Sequence, residues 1–388
     1  MEILDEARVL DLATMRAPDA LVARALERAA QGQSQNMPPF ANPSVEWARE
    51  VVSTGPSSGR GSQDIVSAMV PLDFARPMSA RSLVASESAS LRSEASATRV
   101  SAVLEAMRIY YEAALAAQRV EVRAEAVGDL EEAARVLARR EGAGTASGYE
   151  SSRLRVALEL GRSAHAEAVG AYESHKARLA AVLAIPAERC DVRAELKFAP
   201  ISNDDALVVR RLEALPVLRY ARESARLAGE ARDRSDWAWL PVLEAGGGLK
   251  RVSNPGGADG VGYVIGASID LPVFDRGQSL RAKATGAHAV AAVREDALRR
   301  NLVGDVAAAR AELASARREL ARFDVEALDA VHTLLGAVQS GYREGARSVV
   351  ELLDAQRART EVAERRIELL GIAKRAEATV RALTGELR

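Results

Sequence analysis

Cysteine is almost missing from this chain of 388 residues; Cys190 stands alone. An intrachain disulfide and any multi-cysteine metal site are therefore excluded. Aromatic residues are scarce at 4%, so a broad aromatic core is not available. No run of about 18 apolar residues occurs, which excludes a transmembrane helix. Neither charge is in excess: 53 Lys and Arg face 54 Asp and Glu, a net charge of −1. That balance implies no general attraction to nucleic acid. The opening MEILDEARVLDLATM is acidic where an export signal needs basic and then apolar residues. The expectation is either a cytoplasmic protein or a sequence that lacks its export signal. His165, His175, His288 and His332 never stand four apart, so they read as helix-surface residues rather than metal ligands. GPSSGRGS lacks the Gly-Lys-Ser/Thr of a phosphate-binding loop, and no Ser/His/Asp or Cys/His set stands out. No enzyme activity, cofactor or metal site is expected.

What the chain does have is Ala, Arg, Glu and Leu, which favour long helices packed closely through small residues. Leu302, Ala309, Ala316, Phe323 and Ala330 recur every seven residues, and so do Val306, Leu313, Leu320, Ala327 and Leu334. This is a coiled-coil seam of nearly five heptads. After a turn, Val349, Leu353, Gln356, Thr360, Ala363, Ile367 and Leu370 continue the spacing.

The chain also repeats itself. Arg140-Glu141-Gly142 matches Arg343-Glu344-Gly345 at an offset of 203 (345 − 142). Leu72-Asp73-Phe74 matches Ile269-Asp270-Leu271 at 197 (271 − 74), and Ala181-Val182-Leu183 matches Arg381-Ala382-Leu383 at 200 (383 − 183). Three segments in one order at nearly constant offset indicate a duplication. The repeats are expected at 1–190 and 191–388. Each reads as a helix, a β-hairpin and a long helical hairpin. The opening helix is expected over Leu4–Ala30. The β-hairpins are expected at about 44–74 and 240–271, and the helical hairpins at about 80–184 and 277–385.

In the last strand Tyr263, Ile265, Ala267, Ile269 and Leu271 share one face, with Val264, Gly266, Ser268 and Asp270 on the other. Four such strands are too few to close a membrane barrel, since every edge must be paired in lipid. Either several copies of the chain contribute strands to a barrel, or a small soluble sheet caps a helical bundle. The second alternative makes the protein a soluble coiled-coil scaffold or adaptor-like interaction protein.

The segments GYREGARSVVELLDAQR, REGAGTASGYESSRLR, GYVIGASIDLPVFDRGQSLRAKA and LEALPVLRYARESARLAGEARDRSDWAWLPVL resemble the TolC family of outer-membrane efflux proteins. Its LPVFDRGQ strand exit looks closest to the heavy-metal efflux branch. The resemblance implies a mainly α fold with membrane β-hairpins. Three protomers would share a twelve-stranded barrel in outer-membrane lipid, above a helical tunnel in the periplasm. It implies a passive exit duct for efflux or type I secretion, with a periplasmic adaptor and an inner-membrane transporter as partners. It also implies a periplasmic constriction at Tyr342, Arg347, Glu351 and Asp354. Glu351 and Asp354 are three apart and share a helix face, so three copies would make two acidic rings favouring cations. Without the resemblance, the same charges read as a solvated helix face. Gly148 stands where the family often has an aspartate, with Glu150 as its candidate substitute.

Overall fold

The computed structural model describes residues 2–35, 42–52, 61–73, 75–142, 147–192, 196–199, 205–254 and 257–387. The Pro-rich link at 36–41, the 53–60 part of the Gly/Ser/Pro loop, the turn residues 143–146 and residues 255–256 lie outside them. In chain order the main elements are β1 (Glu2–Leu4), α1 (Glu6–Arg16), α2 (Pro18–Gln35), β2 (Ser44–Val51), β3 (Ser62–Leu72), α3 (Ala75–Gly142), α4 (Gly148–Val182) and β4 (Cys190–Val192). They continue with α5 (Asp205–Glu213), α6 (Pro216–Ser235), β5 (Val242–Ser253), β6 (Gly260–Asp270), α7 (Gln278–Phe323), a π-helical turn (Asp324–Leu328), α8 (Asp329–Glu344) and α9 (Val349–Leu383). The chain is mainly helical with a few strands, as expected.

Two compact units result, one built from residues 1–25, 95–215 and 299–388, the other from 26–94 and 216–298. The first is helical. Its opening is two helices rather than the single one expected, because Ala17 is extended (φ −56°, ψ 142°) ahead of Pro18. A residue before proline is pushed out of the helical region, and proline itself suits the first position of a new helix. The short strands β1 and β4 pair in parallel, Glu2 with Cys190 and Leu4 with Val192. Around them Leu4, Val9, Leu12, Met107, Tyr111, Leu179 and Leu183 form one core. A second core joins α3, α4, α8 and α9 through Leu130, Val136, Leu154, Leu335, Val338, Tyr342, Val349 and Leu352.

The heptad seam is buried at Val306, Ala309, Leu313, Ala316 and Leu320. Beyond Phe323 the expectation is corrected. Val331, Leu335 and Val338 are buried, whereas Ala330 and Leu334 are exposed. The π-helical turn inserts one extra residue and moves the buried stripe by one position.

The first unit also holds a buried ionic cluster. Lys374 and Glu377 have no exposed surface. The Lys374 ammonium reaches Glu377 (3.3 Å), Glu6 (3.2 Å) and the Lys197 carbonyl (2.8 Å). It also stands over the rings of Tyr111 and Phe198.

The second unit carries the sheet, ordered β2-β3-β5-β6 and antiparallel throughout. Cross-strand rows fix its two faces. One row runs Trp47–Val66–Leu249–Tyr263, and the row two residues along runs Val45–Ala68–Gly247–Ile265. This face also carries Val70, Leu72, Leu243, Val261 and Ile269, and its large apolar side chains are solvent-exposed; Tyr263 and Ile265 are 80% and 82% accessible. Glu46, Ser67, Gly248 and Val264 form a row on the opposite face. There the backbone of β3 occupies the space a β5 side chain would fill. A Cβ on Gly246 would lie 2.0 Å from the Ala68 carbonyl, and one on Gly248 2.2 Å from that of Val66. Only glycine permits such an approach.

Helices of the second unit meet through serines. Ser79, Ser86 and Ser93 of α3 donate to the carbonyls of Ala231, Ser224 and Val217 of α6, each at 2.8 Å. Both series step by seven residues in opposite directions, so the helices are antiparallel and in register. Small side chains allow close packing, and each hydroxyl satisfies itself on the neighbouring backbone.

Candidate functional site at the turn between α8 and α9

α8 ends because Gly345 takes a left-handed conformation (φ 80°). The amides of Ala346 and Arg347 then bond the Gly341 carbonyl at 2.8 and 3.1 Å. This satisfies a carbonyl that the helix end would leave open. α9 begins with a capping box. The Glu351 amide donates to Ser348 Oγ (3.3 Å), while the Ser348 amide donates to Glu351 Oε2 (2.9 Å). Arg347 Nη1 lies 2.5 Å from the other Glu351 oxygen. The Ser348 amide, then Arg347, holds the Glu351 carboxyl below the usual range.

The four expected constriction residues therefore have different surroundings. Arg347 and Glu351 meet as an ion pair. Asp354 is exposed and lines a groove of about 660 Å³ with Arg153, Val156, Leu160, Leu353 and Arg357. Tyr342 is 2% exposed; it sits in the second core with its hydroxyl 3.5 Å from the Ala133 carbonyl and Arg140 over its ring. Burial pushes its phenol up. Gly148 is the exposed first residue of α4. Glu150 forms a capping box with Ser147, as Glu351 does with Ser348.

Sequence reasoning missed the arginines that tie α9 and α8 to their neighbours. Arg359 Nη1 reaches Asp129 (2.5 Å) and the same side chain bonds Glu125 on α3; Arg343 of α8 reaches Glu132 (3.0 Å). These partners lie more than 200 positions away in the chain, so no local spacing announces them. The capping boxes were missed as well, although Ser-x-x-Glu at 147–150 and 348–351 is a signal that could have found them.

Ser348→Ala is expected to cost about 1 kcal/mol, the usual worth of such a cap, read from denaturant unfolding. A lowered carboxyl pKa contributes stability above its ordinary value and loses it as pH falls through the lowered one. Amide protection at Ser348, corrected for intrinsic exchange, should hold near neutrality and fall only once the pH drops below the ordinary carboxylate range. Glu351→Gln should abolish that pH dependence.

The fold is that of the outer-membrane efflux channels. The outer-membrane channel OprN matches with a TM-score of 0.76 at 18% identity, covering 98% of this chain and 89% of that one. CusC matches with 0.79 at 16% identity, covering 98% and 91%, and VceC of Vibrio cholerae with 0.76 at 16%, covering 98% and 96%. Residues 207–386 match the family model of the outer membrane efflux proteins. No curated protein sequence matches the chain.

Proposed function

We propose that this protein is an outer-membrane exit duct of a tripartite efflux system, passing small molecules or metal ions without catalysis. The observation that carries this reading is the sheet. One face is exposed and apolar, and its outer strands β2 and β6 each pair on one side only within the described residues. A soluble scaffold leaves that face without a role. Closure with other copies in lipid satisfies both edges and covers it. Three copies would complete a twelve-stranded barrel, with a periplasmic adaptor and an inner-membrane transporter as partners. The repeats at 1–190 and 191–388 are the products of duplication in this reading, supported by capping boxes 201 positions apart (348 − 147).

The constriction is Tyr342, Arg347, Glu351 and Asp354, in unequal roles. Glu351 already shares its charge with Arg347, so Asp354 offers the freer carboxylate to a passing cation. The protein should purify in detergent as a heat-modifiable trimer and conduct ions in planar bilayers. Glu351→Gln with Asp354→Asn should lower the cation preference severalfold, with Asp354→Asn alone giving most of the change. An unaltered reversal potential removes the acidic rings, and a soluble monomer obtained without detergent overturns the duct.

A further inference from the structure

α7 and α8 are one continuous helix interrupted only by the π-helical turn. The residues flanking the turn keep helical angles, φ −65° and ψ −38° at Phe323 and φ −64° and ψ −40° at Asp329. Before the turn the buried stripe runs through Leu313, Ala316 and Leu320. After it the stripe is Val331, Leu335, Val338 and Tyr342. Heptads continued from Leu320 without interruption reach Ala330, Leu334, Ala337 and Gly341 instead. Each is one residue short of its buried neighbour. The helix thus carries two stripes side by side, and Leu334 of the second is 47% exposed. An added residue in an otherwise regular seam is what a π-turn absorbs.

An ion pair from α9 holds the turn, beside the exposed Arg322–Glu326 pair (3.2 Å) made within the helix itself. Arg366 of α9 gives Nε to one oxygen of Asp324 at 2.8 Å and Nη2 to the other at 3.4 Å. Asp324 is the first residue of the turn. A two-pronged guanidinium contact fixes orientation as well as distance. Tyr342 depends on the same register, because its burial requires the added residue.

We infer that Arg366 and Asp324 are positioning residues that hold the π-turn and thereby choose which stripe of α8 faces α3 and α9. When the turn reverts to α-helix, α8 rotates by about 100° and shifts by about 1.5 Å, one residue of helix. Gly341 then takes the place of Tyr342, and the tyrosine ring leaves the core. The consequence for conduction rests on the reading of Tyr342 as part of the constriction; the register change itself does not.

Thiol labelling of the full chain in detergent tests the inference, with the signal from buried Cys190 subtracted. In otherwise unchanged protein, Leu334→Cys should label fast and Leu335→Cys slowly. Adding Arg366→Ala should raise labelling at 335 about fivefold, the effect of losing roughly one half-buried ion pair. Labelling at 334 should fall at the same time. Arg366→Lys should change both less. Deleting Val325 removes the added residue while keeping the observed stripe, so Arg366→Ala should then have no effect. Rates that do not move with Arg366→Ala overturn the inference. So do rates that rise together at both positions, which signal local unfolding. If the deletion prevents folding, the reciprocal change at 334 and 335 decides alone. A reciprocal change without any change in conductance keeps the register switch and removes Tyr342 from the constriction.

Discussion

Lys374→Met is expected to destabilise the helical unit by about 3–5 kcal/mol, the usual consequence of removing one partner from a buried charge pair. Glu377 has no exposed surface, so its charge cannot turn to water when the ammonium goes. Arg317 stands 3.6 Å from it, and the Ala199 amide donates at 2.8 Å. Those contacts leave it only partly compensated. The loss should also free the segment 196–199, which is held through the Lys197 carbonyl and the Ala199 amide. Guanidinium unfolding followed by circular dichroism measures the first effect, and limited proteolysis at 196–199 the second. Lys374→Met with Glu377→Leu should recover much of the loss, because neither buried charge then remains. A cost below about 1 kcal/mol for the single change, the range of an exposed pair, would show that Arg317 suffices for Glu377.

The second large effect is expected in the sheet. Gly248→Val places a branched side chain where the Val66 carbonyl and Ser67 Cα already lie, 2.2 and 2.7 Å from the new Cβ. Ordinary overpacking costs about 1–3 kcal/mol because side chains can shift. Here the obstacle is backbone, so β3 and β5 must separate, and the loss should exceed that range. Gly262→Ala is the control, on the same sheet face but with nothing within 4 Å of its added Cβ. Membrane fractions should contain little heat-modifiable assembly for Gly248→Val and near-normal amounts for Gly262→Ala. Equal amounts of both would show that β3 and β5 are not held together as closely as their register implies.

The strands were legible because alternation ended at Gly, Pro and Ser clusters. The second β-hairpin, expected to end at about 271, ends at Asp270. The long helices were legible because heptads persist through Leu320. Past that point the pattern misled, since a π-turn changes phase without any residue type that demands it. The Lys374 cluster was invisible for another reason: Glu6 and Lys374 are 368 positions apart, and only the folded chain brings them together. At the candidate site, the Arg347–Glu351 pair follows from i,i+4 spacing. The burial of Tyr342 does not, because an aromatic at the end of an apolar stripe is equally compatible with a core or a channel wall.

The two capping boxes keep a spacing of 201, whereas the glycines before them are 203 apart. Four residues therefore separate Gly142 from Ser147, and two separate Gly345 from Ser348. The cap spacing of 201 is the closer to the 200 between 181–183 and 381–383, and the stretch from glycine to cap is the part that differs. If identical chains close a ring as proposed, each would bring one longer and one shorter connection of this kind. A partner of that assembly would then meet a pattern that recurs once per chain rather than twice.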